Sequence, residues 1–227
     1  MIVRRINING LKGYLEDGDT ILVPNLRSRD AILFQYLNDS DQTPKPTPKI
    51  FPVDIFIQNL WELNSRTGTS QCSRSRIISP EEELILWETI IDLSLESIPL
   101  LNISETSKAV SHSYHLAQQW VLDETELEKS GSKSMKKDAI IFSNWRQKFQ
   151  EHCDEKGIIT LVDATISLIK LISSRKINHL PTRTVLVNFH ESPPLYKKFF
   201  DVLPQTCLLY TSPSPRDQRG SRMPSSA

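Results

Sequence analysis

Cysteine is scarce and follows no framework: Cys72, Cys153 and Cys207 are an odd set at irregular spacing. That excludes a disulfide scaffold and fits a reducing, cytoplasmic setting. Long apolar runs are missing too, none approaching the roughly eighteen residues of a membrane span, so no membrane partner is expected. The opening Met1–Ile6 run carries no apolar h-region, which argues against a secretory leader. Charge of one sign is absent, with 27 Lys and Arg against 27 Asp and Glu. A chain so balanced has no global basic footprint for nucleic acid. Glycine occurs seven times and is never followed by lysine. The phosphate-cradling Gly-x-x-x-x-Gly-Lys-Ser/Thr loop is therefore missing, and ATP hydrolysis is not expected. Gly131-Ser-Lys-Ser134 is the nearest imitation, but it falls between helices rather than after a strand.

Other catalytic signatures fail for stated reasons. Asp154-Glu-Lys156 matches half of a metal-dependent nuclease motif but lacks a preceding acidic strand, and reads as a solvated helix end. His112 and His115 are three apart on a helix, yet no second ligand pair accompanies them, so a surface or packing role is the better reading. His152-Cys153 reads as the edge of an amphipathic face rather than a nucleophile pair. No Gly-x-Ser-x-Gly elbow exists. The four tryptophans fall on helical stripes and are expected in the core. By residue chemistry alone the chain is catalytically silent, with no catalytic, cofactor or metal residues assigned.

What is present is a pattern of elements. Thr20–Pro24 reads as a buried strand, and Asn25 as the cap of a helix from Leu26 to about Leu37, with Ile32, Leu33, Tyr36 and Leu37 as its apolar side. Pro44, Pro46 and Pro48 forbid a helix in the connection from Asp39. Ile50-Phe51 is a second strand, and Val53 to about Leu63 a helix carrying Phe56, Ile57, Leu60 and Trp61. Residues 66–78 read as a flexible loop. Ser79-Pro-Glu-Glu82 is a helix start with cap, proline and reciprocal glutamate in place, leading into Leu84, Trp87, Ile90 and Ile91. The next helix opens at Ser104, Glu105 and Ser107 and carries Ala109, Val110, Leu116, Ala117, Trp120 and Val121. After a polar interruption at Lys129–Lys137, Met135, Ala139, Phe142, Trp145, Phe149 and Cys153 define an amphipathic helix that Gly157 ends. Leu161–Ile172 is another helix. Thr184–Asn188 is a β-branched strand, and Leu195–Leu203 a last helix.

Strands alternating with helices around a helical block predict an α/β protein. Its parallel sheet layer is interrupted by a large helical insertion. The parts are an N-terminal α/β segment at 1–65, the loop at 66–78, the insertion at 79–180, and a returning strand and helix at 181–206.

The remaining segment, 207–227, has another character. Cys207-Leu-Leu-Tyr-Thr-Ser-Pro-Ser-Pro-Arg-Asp217 resembles the translation of a transposase-derived sequencing adapter. Ser221-Arg-Met-Pro-Ser-Ser-Ala227 resembles that adapter's far end, in the same frame, with Gln218-Arg-Gly220 where a short index would sit. The segment is read as an artefact and as disordered, on a truncated N-terminal fragment. It holds Arg216, Arg219, Arg222 and Asp217, so 24 basic and 26 acidic residues precede it.

Six segments in order carry a family resemblance: Ile21-Leu-Val-Pro-Asn-Leu-Arg-Ser-Arg29, Pro48 to Trp61, Ile78-Ser-Pro-Glu-Glu-Glu-Leu-Ile-Leu-Trp-Glu88, Ala109 to Trp120, Phe142 to Cys153, and Val185-Leu-Val-Asn-Phe-His-Glu-Ser-Pro193. Together they resemble the N-terminal part of a bacterial family of probable DNA repair proteins. These are relatives of the AddB and RecB helicase–nuclease subunits and end in a PD-(D/E)XK nuclease domain. The resemblance runs from about Gly18 to Leu203. It implies a degenerate P-loop helicase-like (RecA-like) sheet, incomplete in this chain, and a parent that processes DNA. The parent's nuclease domain would use a divalent metal such as Mg and would lie beyond this fragment. The family's Gly-Phe-Asp-Glu stands here as Asn188-Phe-His-Glu191, so only Glu191 remains of a Walker-B-like acidic pair.

Arg27 and Arg29 are the candidates for DNA phosphate contacts; the alternative for both is plain solvent exposure on the first helix. A helical protein-interaction module with no nucleic-acid role is the competing reading. An active ATPase whose phosphate loop precedes Met1 is the weakest. Truncation also implies exposed apolar surface where a missing half would complete the sheet. Reading the source locus past the Thr206 codon should give residues other than Cys207–Ala227, followed by a long frame ending in a PD-(D/E)XK-like site. Recovery of the same twenty-one codons and a stop would overturn both the adapter and the nuclease reading.

Overall fold

The computed structural model describes residues 2–6, 11–38, 47–66, 75–94, 102–121, 133–189, 191–204 and 206–211. Among these the chain is α/β. In order it runs β1 (Ile2–Ile6), α1 (Lys12–Glu16), β2 (Thr20–Val23), α2 (Leu26–Asn38), β3 (Lys49–Pro52) and α3 (Val53–Ser65). Then come β4 (Arg76–Ile77), α4 (Pro80–Asp92), α5 (Ile103–Trp120), α6 (Lys133–Lys156), β5 (Ile158–Ile159), α7 (Leu161–Ser173), β6 (Thr184–Val187), α8 (Pro194–Val202) and β7 (Thr206–Thr211). No helix among the described residues is long and apolar enough to cross a membrane.

The chain divides into two compact units. One holds 1–56, 181–191 and 203–227; the other holds 57–180 and 192–202. The division therefore falls inside α3, at Phe56, rather than near residue 65, and α8 groups with the helical unit rather than with the returning strand.

In the first unit five parallel strands lie in the order β1-β7-β6-β2-β3. All four residues of β2 and of β6 are buried. That is why Thr-Ile-Leu-Val and Thr-Val-Leu-Val read as unbroken apolar runs rather than alternating ones: a parallel strand covered on both faces has no solvent side. Leu11, Leu15, Ile32 and Tyr36 pack with Ile21, Val23, Val185 and Val187 into this unit's core. Leu37, expected on the apolar side of α2, is 63% exposed; Ile32 and Tyr36, one turn apart, already fill the buried stripe.

Arg183 ties together the entries to the two central strands. Its Nε donates to Asp19 Oδ2 at 2.7 Å, its Nη2 to Asp17 Oδ2 at 3.0 Å, and its guanidinium lies 5.3 Å from the Tyr14 ring centre.

The helical unit has its own core. Trp87 of α4 and Phe149 of α6 stack at 4.0 Å and 3°, and Tyr114 of α5 tilts against both. Trp145, Cys153, Ile90, Ile91, Val110 and Val162 join them. The start of α4 is a complete capping box: Glu82 N–H donates to Ser79 Oγ at 3.2 Å, and Ser79 N–H to Glu82 Oε2 at 3.0 Å. Thr160 caps α7, and Gly157, with φ of 61°, ends the turn after α6 as its sequence position implied.

Several expectations need correction. Arg76–Ile77, placed in the loop 66–78, forms β4 and pairs in parallel with Ile158–Ile159; two residues are too few to show a period. Trp120, expected in the core, is 54% exposed, and Leu116 and Ala109 also face outward. The buried side of α5 is instead Ser107, Val110, Tyr114 and Ala117. Cys207–Thr211, read as disordered, lies in β7 between β1 and β6; Cys-Leu-Leu-Tyr-Thr has the composition of a strand whatever its origin. Residues 212–227, Pro44 and Pro46, Gly131, most of 66–78 and His190 lie outside the described residues.

Phe149→Ala should cost about 3–5 kcal/mol, because a fully buried ring is deleted from an aromatic stack. Ile85→Ala, on the outer face of the neighbouring helix, should stay within about 0.5 kcal/mol. Urea denaturation of the two variants checks the pair, and equal losses would contradict the core assignment.

Candidate functional site

In a parallel sheet the side-chain and backbone groups just beyond the strands' carboxyl ends are where ligands are met, most of all where successive connections leave in opposite directions. Here that point lies between β2 and β6. From β2 the chain turns through α2 to β3 on one side; β6 pairs on the other, with Leu22 opposite Leu186. The segments that follow, Pro24-Asn25 and Asn188-Phe189, therefore leave the same end of neighbouring strands.

Asn25 folds back as predicted, its Oδ1 accepting from Ser28 N–H at 2.9 Å. The first turn of α2 has no acidic residue, so its amide dipoles and Arg27 make that turn electropositive. Arg27 is exposed. Arg29 is half-buried and its fork grips the adjacent Asp30 Oδ1, from Nε at 2.9 Å and Nη2 at 2.8 Å. The two arginines are thus neighbours on one turn; Arg29 is paired with Asp30, and Arg27 makes no ion pair among the described residues. Asn188 has φ of 63°, the left-handed region that asparagine tolerates better than most residues. Glu191 is exposed.

A second polar constellation is buried in the helical unit, and the sequence reading missed it. Glu83 of α4 is 5% exposed. Its Oε1 accepts from Ser111 Oγ at 2.8 Å and from Trp87 Nε1 at 3.2 Å, and both oxygens lie near His115 Nε2, at 2.9 and 3.0 Å. Burial pushes the Glu83 carboxyl up, but the His115 ring beside it, with Ser111 and Trp87, outweighs burial and leaves it below its usual range. Burial pushes His115 down, and Glu83 more than reverses this, so the imidazolium is favoured. His112 is exposed, while His115 is turned onto Glu83. The signal available beforehand was a glutamate on the buried stripe of α4, four residues before Trp87.

The neighbouring residue on α5, Tyr114, donates to Asp163 Oδ2 at 2.6 Å, and so does Thr160 Oγ1 at 2.6 Å. Burial raises the Asp163 carboxyl above its usual range, with Thr160 and Tyr114 acting against it. Tyr114 is raised well above the phenol range by burial and by the Asp163 charge. Burial pushes the Cys153 thiol up to about 12, which leaves it inert rather than nucleophilic. Asp154, Glu155 and Lys156 are exposed on the last turn of α6. Among the described residues no group of three His, Cys, Asp or Glu could hold a metal ion.

No protein-family model matches this chain, and no curated protein matches its sequence.

The Glu83–His115 pair sets a pH window. The raised His115 contributes stability that is full below about 6.5, its ordinary value, and is lost as pH rises through its folded value. The lowered Glu83 contributes stability present above its ordinary range and lost as pH falls through its folded value. Stability from the pair is therefore greatest in mildly acidic solution. Urea midpoints measured from pH 5 to 9 should fall on the alkaline limb, and His115→Gln should flatten that fall. An unchanged slope in the variant would contradict the pairing.

Proposed function

We propose that the chain is the non-catalytic, helicase-like N-terminal arm of a DNA repair nuclease. In this reading the sheet is a degenerate P-loop layer, and the nuclease chemistry, with its Mg, belongs to a further domain of a cytoplasmic parent. The observation that carries it is topological. A strand, Thr20–Val23, is followed by a helix, and the returning strand Thr184–Val187 pairs beside it after a helical block. That is the order of segments the resemblance implies, and in this reading Glu191 is what remains of a Walker-B-like acidic pair. The lack of a lysine after any glycine supports a scaffold role over turnover.

DNA would meet the first turn of α2, where Arg27 is exposed and Arg29 is held, among the described residues, by an exposed ion pair worth about 0–1 kcal/mol. A phosphate could replace Asp30 on the Arg29 fork at little cost. A helical interaction module is the second reading, favoured by the outward-facing Leu116 and Trp120 on α5.

Fluorescence anisotropy with a labelled duplex, over a series of salt concentrations, separates the two. The arm should bind without sequence preference, and Arg27→Ala should weaken binding uniformly and lower the salt slope by about 1. Arg29→Ala should do the same. Binding unaffected by both substitutions would remove these residues from the interface, and no binding at low salt would favour the interaction module.

A further inference from the structure

The helical unit contains a cleft of 420 Å³ between α6 and α7, within the usual size of small-ligand sites. Asp163, Ser167 and Lys170 line one wall, at the spacing of one face of α7, and Gln150 and Asp154 of α6 line the other. Ile158, Ile159 and Ile166, all partly buried, add apolar surface. The wall is therefore mixed: aliphatic groups, two carboxylates, one amide and one ammonium.

Asp163 gives the cleft its chemical sense. Its Oδ2 is occupied by two hydroxyl donors, Tyr114 and Thr160, both at 2.6 Å. Its Oδ1 accepts from no donor among the described residues, although a carboxylate can accept about four hydrogen bonds. A half-buried carboxylate with one oxygen served and the other bare is an acceptor for an incoming N–H donor. Lys170 lies two turns further along the same face, about 10 Å of helix rise away. The cleft thus offers an acceptor at one end, a cation at the other, and a second carboxylate on the facing wall.

We propose that this cleft binds a mononucleotide whose base carries an exocyclic amino group, the amino group donating to Asp163 Oδ1 and the phosphate meeting Lys170. Amino group and phosphate stand at opposite ends of such a molecule, as Asp163 and Lys170 do along α7. The partly buried Ile158, Ile159 and Ile166 flank the base, and Asp154 accepts from the ribose hydroxyls, a task acidic residues perform in other nucleotide sites. Gln150 supplies a further donor or acceptor to the base edge. The inert Cys153 thiol beside it makes this a binding site and not a covalent one. The site lies wholly in the helical unit and is independent of the DNA reading.

Isothermal titration of the full chain with adenosine monophosphate, inosine monophosphate and adenosine tests it. Adenosine monophosphate should bind saturably at one site. Inosine monophosphate, with an oxygen in place of the amino group, should bind at least about tenfold more weakly, the loss of one charge-assisted hydrogen bond. Adenosine should bind more weakly than its monophosphate, and Lys170→Ala should abolish that difference.

Asp163→Asn is the sharper variant. The asparagine oxygen takes the two hydroxyl donors, its amide NH2 takes the place of Oδ1, and the preference should invert towards inosine monophosphate. A merely structural role for Asp163 would not move that ratio. If circular dichroism shows that Asp163→Asn is unfolded, the ratio of the two monophosphates on the unsubstituted chain decides. No saturable binding of adenosine monophosphate, equal affinity for the two monophosphates, or a folded Asp163→Asn chain that keeps the original preference would each overturn the proposal.

Discussion

The pairing of β2 with β6 is the constraint on which the first unit depends. The two strands are fully buried and parallel, so each supplies the other's backbone partners and neither has a solvent face. They are also far apart in the chain: Arg183, just before β6, bonds Asp19, just before β2, across 164 residues. Closing a loop of that size costs little more than closing a short one, since each doubling adds only about 0.6 kcal/mol. The connection can therefore hold a whole helical unit, provided that unit buries its own apolar surface. It does so through the Trp87–Phe149 stack and the residues around it. Arg183 then acts where register is decided. Its carbonyl accepts from Thr20 N–H at 3.2 Å while its side chain holds Asp17 and Asp19. A slip of one residue would break all three contacts and turn the strands' side chains to the opposite faces.

How far this was legible in the sequence depends on the range of the interaction. Local rules were readable. Asn25 and Thr160 cap their helices, Ser79 and Glu82 form a reciprocal box, and Gly157 takes the left-handed turn. Strands buried on both faces were readable as β-branched runs. The edge strand β1 and its neighbour β7 were not, because each depends on a distant pairing that no local pattern announces. The β4–β5 pair joins residues 82 positions apart through two residues each. Of the candidate site, Asn25 and the arginines were visible as a motif on one helix turn. Glu83–His115 and Tyr114–Asp163 were not, because their partners stand 32 and 49 residues apart.

Those two long-range pairs also account for the face of α5 that was misread. Tyr114 and His115 are successive residues, so their side chains leave the helix about 100° apart. One reaches Asp163 on α7 and the other Glu83 on α4. A helix can serve both carboxylates in one rotation only, and that rotation turns Leu116 and Trp120 towards solvent. The alternative rotation would bury those two side chains, a gain of about 1.5–3 kcal/mol for a fully covered large apolar group. It would also strip partners from the buried Glu83 and the half-buried Asp163, and a buried charge left unpaired costs about 3–5 kcal/mol. That loss at Glu83, with a smaller one at Asp163, exceeds what partly exposed side chains could return. The polar pairs therefore prevail over the apolar pattern, and α5 is oriented by hydrogen bonds rather than by its most hydrophobic stripe. A buried ion pair need not add net stability over well-packed apolar residues; here its consequence is specificity, a single setting of α5 against α4 and α7. The same setting keeps Tyr114 on Asp163 Oδ2 and leaves the other oxygen to the cleft.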